Sequence, residues 1–233
     1  MQREARIEHG RYTDVDYLQF RPPRWLTIAR AVVGALTWPF VWPLAMLCRA
    51  ADLVFPPDIV FRTVSELLSL IPYVFGVVVR AEFYRFALTR CGRNVLIELG
   101  AVFIYHDVSI GDNVTINRYC VIHHCDFGNY ALVGEHSVLL SGSRQHNIDR
   151  TDIPMALQRG RKKRIAIGDD CWIGAHCVVM EDVGRGALVG AGAVVNKPVP
   201  EFTIVVGNPA RPLRRRGAPG ATGNVDAFHV SAM

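Results

Sequence analysis

From Ile104 an aliphatic residue recurs at every sixth position, at Ile110, Ile116 and Ile122, slips by one to Phe127, then resumes at Val133 and Leu139. After a gap the beat returns at Ile167, Ile173 and Val179, and again at Val183, Val189 and Val195. Four places after most of these stands a small residue: Val114, Cys120, Ala131, Ser137, Cys171, Cys177 and Ala193. A glycine often follows the aliphatic position directly, as in Ile110-Gly111, Val133-Gly134, Ile167-Gly168, Ile173-Gly174 and Val189-Gly190. Neither a helical period nor strand alternation produces a beat of this length. Short strands joined by tight turns around a coil do, with the aliphatic residue filling the interior and the small one fitting where the wall turns. The pattern predicts a mainly β solenoid, and its coils must stack because none can bury its apolar face alone.

Ahead of the repeat the pattern is different. Residues 31–48, AVVGALTWPFVWPLAMLC, form an uncharged run of eighteen, and residues 67–79, LLSLIPYVFGVVV, one of thirteen. Pro56-Pro57-Asp58 between them is a turn and a helix start, which predicts two helices in a hairpin. In RAEFYRFALTR, residues 80–90, Arg80, Arg85 and Arg90 alternate with Phe83, Tyr84 and Phe86. That interleaving suits an interfacial helix with snorkelling arginines. The chain thus divides into a polar lead (1–24), an apolar, membrane-associated helical region (25–90), the solenoid (91–216) and a Gly/Ala-rich tail (217–233) with little reason to be ordered.

Composition changes this picture only in places. The 233 residues are 50% hydrophobic with a mean hydropathy of +0.18, and the excess lies in the two runs above. The six cysteines form no C-x-x-C pair, and Cys120, Cys171 and Cys177 occupy the small inward position of the repeat, so they read as reduced core residues of a reducing compartment. The charged first 24 residues show no cleavable signal peptide.

The stretch IAIGDDCWIGAHCVV, followed by ALVGAGAVVNKPVPEFTIVVGNPARPLR, resembles the end of the left-handed β-helix of hexapeptide-repeat acyltransferases, and most nearly the branch of galactoside, maltose and xenobiotic O-acetyltransferases. The resemblance covers residues 91–214 and rests on WIG, GAGxVV and GNPAR in that order. It implies a homotrimer of left-handed parallel β-helices with acyl-CoA, most simply acetyl-CoA, as co-substrate in the groove between subunits. The family's catalytic histidine, carried on a loop extruded from the coil, maps onto His146 in the one long interruption, residues 144–164. The chemistry agrees on its own ground: acyl transfer from a thioester to a hydroxyl needs a base near neutral pH, which imidazole supplies. Asp149, three residues on, is a candidate to hold that imidazole in the useful tautomer. The resemblance further places Ala175 and Ala191 on the pantetheine arm through their backbones, Trp172 near the same arm, Asn196 and Lys197 toward the nucleotide, and Arg211 and Arg214 at positions that meet phosphate. His123 and His124 stand where sugar-acetylating relatives often carry acidic residues that hold the acceptor. His106 lies eighteen residues before His124, a spacing that would stack the two on one face if three hexapeptides made a turn.

The same fold also houses γ-type carbonic anhydrases, whose histidine ligands pair as H-x-x-x-x-H. That spacing is absent here, so no metal is expected. A non-catalytic membrane-anchored solenoid would need neither His146 nor the phosphate-matching basic residues. The formal net charge of +5 goes with no nucleic-acid motif, and anionic lipid together with CoA phosphates accounts for it better. Eighteen apolar residues reach the lower limit of a transmembrane helix and thirteen do not. A single span would put the arginine-bearing lead on the far side from a solenoid that must meet CoA, against the positive-inside rule. The expectation is therefore a bent hairpin in the cytoplasmic leaflet of the inner membrane, with the helix of residues 80–90 at the headgroups and a membrane-associated saccharide or lipid-linked sugar as acceptor. A soluble sugar or antibiotic is the alternative.

Overall fold

The computed structural model describes residues 7–8, 11–12 and 24–217. Most of the lead and the tail beyond Gly217 lie outside the described residues, apart from a small ribbon pairing Ile7–Glu8 with Arg11–Tyr12.

The repeat forms a parallel β-helix of about six turns, running from the strand Arg90–Cys91 to the strand Thr203–Val206. Most strands are two residues long, with one side chain facing out and one in. The inward set, among them Ile110, Ile116, Ile122, Val133, Leu139, Ile173, Val179, Val189 and Val195, is fully buried. The small residues four places on are buried as well, and the one hydroxyl among them is satisfied: Ser137 Oγ donates to Gly174 O at 2.8 Å and accepts from Cys177 N–H at 3.1 Å. All six cysteines are free thiols. In the first coil the inward residue is Phe103, with Ile104 only half-buried. Phe103 pairs with Ile122, nineteen positions on, so this coil holds one residue more than three hexapeptides and the beat starts one place earlier than the sequence suggests. The final strand, Arg211–Arg215, folds back antiparallel on Thr203–Val206 and closes that end.

The opposite end is closed by helices, and here the sequence expectation is corrected. There are three, not two: α1 (Arg24–Ala51), α2 (Ile59–Ser69) and α3 (Tyr73–Ala87). α1 runs unbroken past Pro39 and Pro43. α3 is no interfacial helix. Arg80, Phe83 and Tyr84 are completely buried, because the first coil has no neighbour below it and these side chains plug its open end. Arg80 is held by backbone carbonyls rather than by an acid: Nε donates to Ile97 O of the coil at 2.9 Å, and Nη1 to Leu68 O at 3.0 Å and Ile71 O at 2.8 Å, where α2 ends. Carbonyls at the end of a helix and in the turn after it have few backbone donors, and the guanidinium supplies them here. Burial lowers the Arg80 pKa from its ordinary value. Ser65 ties all three parts together, its Oγ accepting Phe103 N–H at 3.0 Å and sharing a 2.7 Å hydrogen bond with Tyr84. Of the arginines placed at headgroups, Arg85 pairs with Glu82 and Arg90 belongs to the first solenoid strand.

Candidate active site

Residues 141–164 leave the third coil and return to the fourth. Their two arms zip into an antiparallel ribbon: Lys163 N–H donates to Ser141 O at 2.9 Å, Arg161 N–H donates to Arg144 O at 2.8 Å, and His146 bridges Arg159. Beyond the ribbon the chain is knotted around Gln158, whose Nε2 donates to Arg150 O at 2.7 Å and to Ile153 O at 3.2 Å. The loop leaves Ile148, Met155 and Leu157 exposed. His146 is exposed on this tied ribbon. Asp149 is exposed too, its N–H donating to Asn147 Oδ1 at 3.3 Å, and no hydrogen bond joins it to His146.

The positions matched to the donor lie on later coils. Trp172 is half-exposed in a strand paired with Leu132 on one side and Leu188 on the other. Ala175 and Ala191 sit one above the other, linked by Gly192 N–H donating to Ala175 O at 2.8 Å. A Cβ on Gly174 would meet Ala191 N at 2.5 Å, so only glycine lets these backbones stack so closely. Asn196 and Lys197 are exposed in the turn after the next strand, and Arg211 and Arg214 on the closing strand. Arg211 Nη1 donates only to Ala210 O, and Arg214 Nη1 only to Arg215 O. Among the described residues neither these two nor Lys197 meets a carboxylate, so all three charges are open to an anion.

His123 and His124 belong to a third group. His124 Nδ1 lies 2.5 Å from Asp107 Oδ1, and its ring stacks on Tyr105 with centroids 3.8 Å apart and planes at 6°. Asp107 also meets Arg164 at 2.6 Å, and Arg164 reaches Asp126 at 2.9 Å. Lys162 Nζ stands 4.6 Å from the centre of the Tyr105 ring. His123 packs edge-on against Tyr105, and its pKa is lowered by burial first and then by His124, Lys162 and Arg62. His106 does not stack over His124. The nineteen-residue register sets Tyr105 there, and His106 turns to the α1–α2 connection, with Nδ1 2.7 Å from Asp58 Oδ1 and 3.3 Å from Asp52 Oδ2. The base of the loop, the histidine face and the α1–α2 connection are therefore contiguous. Sequence reasoning missed Tyr105, Asp107 and Arg164, and the one-residue slip in the repeat was the available signal. No cluster of three or more metal-ligating side chains occurs among the described residues.

No family model matches the chain. It is 32% identical over 114 residues to a probable acetyltransferase of Mycobacterium tuberculosis, a match covering 48% of this chain and 32% of that protein. The chain spans about a third or less of the length of the first curated relatives it matches. Among solved structures, a hexapeptide-repeat acetyltransferase from Vibrio cholerae superposes with a TM-score of 0.57 at 27% identity, over 66% of this chain and 89% of that one, and has also been solved with acetyl-CoA bound. A maltose O-acetyltransferase from Clostridium difficile shares the fold, with a TM-score of 0.59 at 20% identity over 66% of this chain and 86% of that one. In sequence and in fold, the chain resembles the hexapeptide-repeat acetyltransferases.

Proposed function

We propose that the protein is an acyl-CoA-dependent O-acyltransferase, most simply an acetyltransferase, that acts as a homotrimer on a hydroxyl of a membrane-associated saccharide or lipid-linked sugar. The observation that carries the reading is the one long break in the coil, which sets His146 on a zipped ribbon beside a solenoid like that of an acetyltransferase solved with acetyl-CoA. The donor positions fit the co-substrate: a backbone column at Ala175 and Ala191 suits the amides of a pantetheine arm, and Lys197, Arg211 and Arg214 are uncommitted charges suited to phosphate. His146 takes the proton from the acceptor hydroxyl as its oxygen attacks the thioester carbonyl. A backbone N–H of the groove stabilises the oxyanion, and collapse of that intermediate breaks the carbon–sulfur bond and expels CoA as thiolate or thiol. No acyl-enzyme is needed, since the cysteines near the groove are buried and their thiol pKa values are pushed up by burial. The exposed apolar loop side chains suit a neighbouring subunit, to whose groove the ribbon would bring His146.

The membrane part of the proposal rests on α1. It buries Val41, Ala45 and Cys48 but leaves Leu36, Phe40 and Leu47 facing out, and the α1–α2 connection exposes Leu53, Val54 and Phe55. Residues 31–51 are long and apolar enough to cross a membrane. An inner-membrane, cytoplasmic-face location follows from the need to meet acyl-CoA, with α1 in the leaflet. His146→Ala should abolish acyl transfer while leaving subunit assembly and CoA affinity unchanged. Activity persisting above a few per cent at saturating substrate would sink the assignment of the base. Offering a membrane glycolipid extract beside soluble sugars and antibiotics, with mass spectrometry of the products, separates the proposed acceptor class from a soluble one.

A further inference from the structure

The loop carrying His146 is rich in cations, and apart from Lys162, which lies over Tyr105, the structure sorts them into two sets. Arg150 pairs with Asp152, Lys163 with Glu181 and Asp182, and Arg164 with Asp107 and Asp126. Arg144, Arg159 and Arg161 are exposed and meet no carboxylate among the described residues. Their placement is set by the ribbon. His146 lies opposite Arg159, and Arg144 opposite Arg161, two positions away on each arm. Side chains two apart on an antiparallel arm share a face, and directly opposed residues share it too, so His146 and the three arginines project from one side. The other side takes Gln145 against Gly160, where a Cβ would strike Gln145 O at 2.0 Å, and Lys162, which reaches Tyr105 of the same chain's coil. At its base the ribbon touches the protein's own coil from both faces, Lys163 through Glu181 and Asp182 and Lys162 through Tyr105. Further out, the face with His146 holds three uncommitted guanidinium groups.

Charge of one sign gathered around an exposed imidazole repels itself and lacks internal compensation, which favours a ligand that supplies the opposite sign. The CoA phosphates do not fill that role, because the pantetheine arm separates them from the thioester carbonyl at which a base must work. We propose that the His146 face of the ribbon reads an oxyanion on the acceptor itself, a phosphate or carboxylate close to the hydroxyl that is acylated. Guanidinium forks bind either group bidentately. Taken with the acceptor class proposed above, on which this inference rests, the substrate is an acidic or phosphorylated saccharide.

The test uses the full chain with CoA present and three probes: decyl glucoside, the same glucoside carrying a 6-phosphate, and decyl glucuronide. Calorimetric binding should be roughly ten- to a hundredfold tighter for a charged probe than for the neutral one, the range expected of hydrogen bonds to charged groups. The preference should shrink as salt rises. It should vanish in the triple variant Arg144→Gln, Arg159→Gln, Arg161→Gln, with the affinity for acetyl-CoA unchanged. Preference in either charged arm supports the proposal, and the stronger arm names the oxyanion. Equal binding of all three probes overturns it, as does a triple variant that keeps the preference, or one whose loss is a loss of oligomeric state, which would assign the arginines to a neighbouring subunit. The reading of His146 fails separately: His146→Ala retaining turnover while the charge preference persists would remove the base and leave this inference standing.

Discussion

Along the solenoid the inward aliphatic set from Ile97 to Val195 is closed off from solvent. Along α1 only one face is covered. Thr37, Val41, Ala45 and Cys48 are buried, whereas Leu36 is 68% and Phe40 77% exposed. A coil encloses its own apolar face once it is stacked, so its outer wall is free to carry polar chemistry. A helix packed through one face leaves the large residues of the other unpartnered, and so large a bare apolar surface marks a contact with another apolar phase or another protein. The two regions therefore divide the work proposed here, the solenoid holding donor and base and the helices holding the molecule at its acceptor.

The sharpest way to break this division is to separate the two regions at Arg80. Arg80→Met keeps much of the volume and the apolar stem but leaves the carbonyls of Ile71 and Ile97 without their donor. A loss of about 3 kcal/mol is expected from stranding these groups. Denaturant unfolding of the purified protein measures it. An unchanged midpoint would show that the helices are tethered to the solenoid without being part of its end.

A second variant sharpens the comparison from the other side. Phe40 is outside every contact that the fold needs, so Phe40→Arg should leave the unfolding midpoint nearly where it was. Its effect should fall on membrane partition, where an arginine in the apolar layer costs about 2.5–3.5 kcal/mol. Flotation with vesicles of anionic phospholipid reads this directly. A variant that floats as well as the parent protein would remove α1 from the membrane.

How far each region could be read in advance follows from the same contrast. The repeat was legible because similar short strands impose the same demand at each sixth place, and the residues that break the beat, 144–164, stood out against it. Ala175, Ala191, Lys197 and Arg211 were named from the motifs in which they stand, and the structure places them in the later coils, the turn after them and the closing strand. Arg80 was misread because a local pattern of arginines and aromatics describes an interfacial helix and an end plug equally well, and only the open coil beneath α3 decides between them. Tyr105 in place of His106 over His124 was a register error of one residue, which moves a side chain to the other face. The arginines around His146 could not be assigned before the pairing of the ribbon arms was known, since sequence neighbours on one arm alternate faces.

The smallest effect concerns the seam where the two regions meet the histidine face. His123 is half-buried, its ring nitrogen Nδ1 has no hydrogen-bond partner, and desolvation, with His124, Lys162 and Arg62 nearby, lowers its pKa from the ordinary 6.5. The unfolded chain takes up the proton near that ordinary value and the folded chain only at lower pH. The unfolded state therefore binds more protons in the window between the two values. Stability from this group is complete above about pH 6.5 and falls as pH drops through the folded pKa. His123→Phe, which retains a ring against Tyr105, should flatten that part of the acid limb and leave stability at pH 8 little changed. Thermal unfolding of both proteins from pH 8 down to pH 5 checks it, and parallel acid limbs would mean that the loss on acidification arises elsewhere on the histidine face.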